Sequence, residues 1–175
     1  VGHSAAGDTI GVAPGADWIA AVAIDVPGTS LFEAFQWAAD PDGDPNTVTD
    51  LPDVINNSWG IPNIGCDRIF WRLIDNVEAL GIVTIFAAGN EGPSVSSLRN
   101  PANRADDSLT NFAVGATWRD SAIVYQYSSR GPSNCDNVSI KPNVVAPGVA
   151  IRSSKPNGAY GYLNGTSMAA PHVSG

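Results

Sequence analysis

Ser167 stands two residues after Gly165 and directly before Met168, Ala169 and Ala170. A glycine permits a tight turn and the following residues favour helix, so the serine hydroxyl is expected on the first turn of a helix. The N-terminus of a helix presents free N–H groups and the positive end of its dipole. A nucleophile there attacks with backbone donors close to the developing anion, which makes Ser167 the candidate nucleophile. A plain Thr-Ser helix cap is the simpler alternative. Asn90 is the second residue with chemistry to offer. It follows an apolar run and is flanked by Gly89 and Gly92. Glycines admit a ligand close to the backbone, and the amide supplies a fixed N–H donor of the kind that stabilises a tetrahedral oxyanion in acyl transfer. A turn asparagine beside glycine is the competing account.

A serine nucleophile needs a general base, and the chain holds two histidines, His3 and His172. Five residues along a helix correspond to about 500°, which sets His172 about 140° around the axis from Ser167. His172 is therefore assigned a packing role, and His3 is read as solvent-exposed. The acidic segment Asp40-Pro41-Asp42-Gly43-Asp44-Pro45-Asn46, with Asp50 following, offers oxygen ligands at alternate positions around a glycine, a pattern suited to Ca²⁺. Its prolines and the lack of a closing glutamate set it apart from an EF-hand, and a solvated acidic loop is the alternative.

Several elements must position these residues. Trp18–Ile24 and 82–88 are strand-length apolar runs, Asp53–Asn57 is a strand of Val-Ile flanked by polar residues, and Phe112–Ala116 and Ile123–Tyr127 are further strand candidates. Ser30–Ala39 has helical spacing, with Leu31, Phe35 and Ala38 on one face and Thr29 or Ser30 as cap. Arg68–Leu80 repeats Ile69, Leu73, Val77 and Leu80, and Gly81 ends it. Strands apolar on both faces and separated by helices specify an α/β fold, a parallel sheet covered on each side, in one domain over residues 1–175. Ligands bind such sheets beyond the carboxyl ends of the strands. Ser58-Trp59-Gly60 and Gly89-Asn90 fall at those ends.

The balance of residues narrows the partners. The net charge of −8 argues against nucleic acid and anionic membrane surfaces. No run is long enough to cross a bilayer. Cys66 and Cys135 either pair or remain small buried hydrophobes. The sequons at Asn56, Asn137 and Asn164 are read as chance matches.

Asn164-Gly165-Thr166-Ser167-Met168-Ala169-Ala170-Pro171-His172 and Ala87-Ala88-Gly89-Asn90-Glu91-Gly92-Pro93 resemble the nucleophile and oxyanion segments of the subtilisin-like serine proteases, the subtilases. Gly11–Ala16, Asn56–Gly60, Ser128–Pro132 and Lys141–Gly148 are similar to further family segments, and Trp59 in the pocket strand is most similar to bacillopeptidase F-like members. The resemblance implies a three-layer subtilisin-like fold and a secreted serine endopeptidase, expected as a monomer, acting on polypeptides through an acyl-enzyme and needing no cofactor; Ca²⁺ at Asp40, Asp42 and Asp44 is a structural option that rests on their spacing alone. It also implies a pocket bordered by Ser58, Trp59, Gly60, Ala88 and Gly89 that takes a large apolar side chain unless Trp59 restricts it, with Gly28 on the other edge of the cleft. The family's Asp-x-Gly and His-Gly-Thr-His segments are not among these residues. The expectation is therefore a domain truncated at both ends and without turnover as an isolated chain. A peptide-binding pseudoprotease is the alternative.

Overall fold

The computed structural model describes residues 11–105 and 111–175; His3 lies outside them. The elements run α1 (Leu31–Ala38), β1 (Val54–Asn57), α2 (Trp71–Ala79), β2 (Val83–Ala87), β3 (Asn111–Trp118), β4 (Val144–Val149), β5 (Ile151–Ser154), β6 (Tyr160–Leu163) and α3 (Thr166–Ser174). Strands β1 to β4 form one sheet in chain order, every pair parallel. The α/β expectation holds.

Alternation along β2 builds both layers. Phe86 is fully buried on one side with Phe35, Phe70, Ile74 and Val77, under α1 and α2. Its neighbours Ile85 and Ala87 point the other way, onto Val114, Ala116 and the Ala169 and Ala170 face of α3. The three layers are thus α1 with α2, the sheet, and α3. Small residues at Ala169 and Ala170 let α3 lie close to the sheet.

Local signals explain several boundaries. Ser30 caps α1, its hydroxyl accepting from the Phe32 N–H at 3.2 Å. Helix α2 starts three residues later than the spacing suggests, and its buried face is Ile74 and Val77 with Phe70 at its cap. Ile69 and Leu80, expected on that face, are exposed, because they fall outside the helical turns that touch the sheet. Pro147 sits in β4, an edge strand among the described residues, beside the register irregularity at Thr117 and Trp118, positions at which a sheet tolerates proline.

Two strand expectations are corrected. Trp18–Ile24 forms no strand and is largely exposed, with Trp18 at 69%. Extended backbone needs a ladder partner, and among the described residues none pairs with it. Ile123–Tyr127 makes only an isolated bridge from Val124 to Thr117. The β5–β6 hairpin, exposed and rich in polar residues, carries too little apolar patterning to be read from sequence. Cys66 and Cys135 are joined as a disulfide across a separation of 69 residues.

Candidate active site

Strand β1 leads Asn56, Asn57 and Ser58 to the carboxyl edge of the sheet, and β2 leads Ala88, Gly89 and Asn90 to the same edge. Helix α3 begins above them. Gly165 enters it at φ 143, a conformation that favours glycine, and a Cβ there would lie 3.2 Å from Asn90 Oδ1.

Ser167 and Ser58 bond reciprocally. The Ser167 hydroxyl donates to the Ser58 carbonyl at 3.1 Å, and the Ser58 hydroxyl donates to the Ser167 carbonyl at 2.9 Å. Pro171 makes the second bond available. It lies four residues after Ser167 inside α3 and has no N–H, so the Ser167 carbonyl has no helical partner. Ser58 takes that acceptor, and Asn56 Nδ2 in turn donates to Ser58 Oγ at 2.9 Å.

Asn90 is clamped to the same helix. Its Oδ1 accepts from the Thr166 N–H at 2.9 Å and lies 3.2 Å from Thr166 Oγ1. With the carbonyl end held, the Nδ2 end is the donor left for a ligand. Thr166 Oγ1 also accepts from the Gly89 N–H at 3.1 Å. Thr166 is fully buried, and it is a site residue that sequence reading missed. Its only sequence signal is its place directly before Ser167.

The other candidates separate. Gly60 and Gly89 face one another across a slot, but Arg99 occupies much of it. The Arg99 Cβ lies 2.7 Å from where a Gly60 Cβ would be, and its Cγ 2.8 Å from the Gly89 equivalent. Glu91 holds the guanidinium, with Nε 3.0 Å from both carboxylate oxygens. Burial alone would raise the Glu91 pKa, but bonds from Arg99, the charge of Arg99, the Asn90 N–H and Ser129 together hold it below the ordinary value. An ion pair thus lies beside Gly60 and Gly89, where the resemblance implied a pocket for an apolar side chain. Trp59 does not restrict that slot with its ring. The indole packs edge-on to Phe70 and Phe86 and donates to Asn57 Oδ1 at 3.1 Å, leaving its backbone at the crevice. Gly28 sits in an exposed turn, and nothing lies within 4 Å of where its Cβ would be.

His172 Nδ1 bonds the Met168 carbonyl at 2.8 Å on its own helix. No described histidine bonds Ser167. In the acidic loop, Asp40, Asp42 and Asp50 bring carboxylate oxygens within 4.8 Å of one another. Asp44, expected among them, instead accepts from the Asn46 backbone and side chain, which lowers its pKa. Asp50 takes its place in the cluster because the loop folds back, the Asp42 N–H donating to Asp50 Oδ2.

A serine on the first turn of a helix, above the carboxyl edge of a parallel sheet and beside a clamped asparagine, defines the class as a serine hydrolase-like α/β protein. The sequence model of the subtilase family matches residues 1–175. Bacillopeptidase F of Bacillus subtilis (strain 168) is 42% identical over 94% of this chain, which spans 12% of that protein. Subtilisin NAT of Bacillus subtilis subsp. natto is 34% identical over 95% of the chain and 39% of its own length. The prenylagaramide maturation protease PagA superposes with a TM-score of 0.63 at 28% identity, covering 83% of this chain and 46% of that one. The chain belongs to the subtilase family, the subtilisin-like serine proteases, and spans less than half the length of each of these relatives.

Proposed function

We propose that the protein is a serine endopeptidase in which Ser167 attacks the substrate carbonyl and Asn90 Nδ2 donates to the oxyanion. The observation that carries this reading is the Thr166 clamp, which fixes the oxyanion donor to the helix that presents the nucleophile. In the resting state the Ser167 hydroxyl donates to the Ser58 carbonyl, so it must turn to a base that takes its proton as it attacks. That base comes from outside the described residues, oriented by a carboxylate. The acyl-enzyme forms as the serine Oγ–carbon bond replaces the amide C–N bond, the base handing the serine proton to the departing amine, and water then releases the acid.

The test is active-site labelling with a fluorophosphonate on the native gene product that carries these residues. Ser167 is expected to be labelled and Ser167→Ala is not. The 175-residue chain alone is expected to show neither label nor turnover. Robust cleavage of casein by it would overturn that expectation, whereas an unlabelled native product would favour the peptide-binding pseudoprotease. An extracellular location is supported by the Cys66–Cys135 disulfide, which suits an oxidising compartment. A Ca²⁺ site at Asp40, Asp42 and Asp50 is supported by buried Oδ1 atoms of Asp40 and Asp50 without hydrogen-bond partners. Calorimetric titration with Ca²⁺ is expected to give one binding event, lost in Asp50→Asn.

A further inference from the structure

The slot between Gly60 and Gly89 has a floor made by one side chain. Arg99 is held from the backbone on both sides, its N–H donating to the Ala88 carbonyl at 3.0 Å and its carbonyl accepting from the Asn103 N–H at 3.0 Å. Its stem lies against the bare faces of both glycines, so the space that a missing Cβ leaves at each is filled. The guanidinium then turns along the slot. Nε and Nη2 donate to Glu91, Nη2 at 2.6 Å, and Nη1 reaches the Gly60 carbonyl at 3.4 Å. Glu91 is fixed in turn by the Asn90 N–H at 2.8 Å and by Ser129 Oγ at 3.3 Å. Both charged side chains remain a little over one-quarter exposed, at 29% and 28%, so the pair is open to solvent and not sealed in the core.

We propose that Arg99 determines which residue precedes the scissile bond, selecting a carboxylate side chain, aspartate or glutamate, over a large apolar one. This inference rests on reading the crevice as the peptidase slot. Two physical terms carry it. A Phe or Leu side chain entering the slot meets the arginine stem and strips water from an ion pair while returning no hydrogen bond. An acidic side chain meets a planar fork that still has donors to give. Of five guanidinium N–H groups, the Glu91 and Gly60 contacts use three, leaving two for an incoming acceptor. Glu91 is the holder in this arrangement. It orients the fork, and because Arg99 already neutralises it, it does not repel the substrate as a free carboxylate would.

The experiment uses the native gene product with fluorogenic peptides identical except at the residue before the scissile bond, which is Asp, Glu, Ala, Leu or Phe. The wild type is expected to favour Asp or Glu over Phe by about tenfold or more in kcat/KM, one tenfold step being about 1.4 kcal/mol. Arg99→Gln keeps most of the stem and removes the charge, and is expected to lose the acidic preference while still rejecting Phe. Arg99→Gly opens the slot and is expected to turn the preference toward Phe and Leu. Thermal melting and fluorophosphonate labelling of each variant separate a changed preference from a misfolded site. If labelled wild type prefers Phe or Leu, or if Arg99→Gln leaves the Asp-to-Phe ratio unchanged, the assignment of Arg99 is overturned while the peptidase reading stands. If wild type is folded but takes no label, both fall together.

Discussion

Thr166 has one hydroxyl and three neighbours in the Gly89-Asn90 segment, 77 residues away at Gly89. Thr166→Val keeps the shape and removes the acceptor, leaving the buried Gly89 N–H without its partner. The expected loss is about 1–3 kcal/mol of stability, read by urea denaturation. Asn90→Ala is expected to lower kcat in the native gene product by about 10²–10³, the magnitude measured on a subtilisin for removing one such donor. Glu91 adds a pH dependence. Its folded-state pKa is lowered, so its contribution is present in full above the unfolded glutamate value of about 4.3 and is lost as pH falls through the lowered folded value. The stability difference between wild type and Glu91→Gln is therefore expected to be flat from neutral pH to about pH 5 and to shrink below it. Ser167 and Asn90 were legible in the sequence because glycines punctuate them and apolar runs precede or follow. Thr166 and Ser129 were not, because a polar residue's partner 38 or more residues away leaves no local trace, and Arg99 was not, because its Glu91 partner eight residues off falls in a loop without periodicity.

Pro171 within α3 exchanges helical bonding for a contact at the crevice. Pro171→Ala restores an N–H that competes with the Ser58 hydroxyl for the Ser167 carbonyl. Helix propensity favours the variant by up to about 3 kcal/mol. The expected outcome is a higher Tm with kcat/KM lower by about tenfold, and a Tm rise without loss of activity would show the Ser58 bond to be idle. The disulfide acts on other elements, tying the loop after β1 to the segment after β3. Closing a separation of 69 residues stabilises by about 4 kcal/mol in the chain-entropy account, so Cys66→Ser with Cys135→Ser is expected to lower the urea midpoint accordingly. Elements were legible where burial writes a pattern on both faces, as in β2. Trp18–Ile24 has the same apolar composition, yet composition alone does not make a strand. The ladder is a property of two segments, and only one of them is in view when a run is read by itself.

For the whole molecule, the sheet and its two covering layers predict a gradient of order. β2 and β3 are hydrogen-bonded on both edges and carry the core side chains Phe86, Ala113 and Val114. Residues 15–29 are mostly exposed and outside any ladder. Amide hydrogen exchange is expected to be slowest in β2 and β3, reporting global unfolding, and fast throughout 15–29. Equal protection of the two regions would mean that the exposed run finds a partner in solution. The reciprocal bonds between Ser58 and Ser167 have a further consequence, because they join residues 109 positions apart. Ser58, Asn90 and α3 lie in segments far apart along the chain. The helix is therefore a keystone, because the Thr166 bonds to Gly89 and Asn90 and the Ser58 bonds to Ser167 all run through its first turn and form together when it docks.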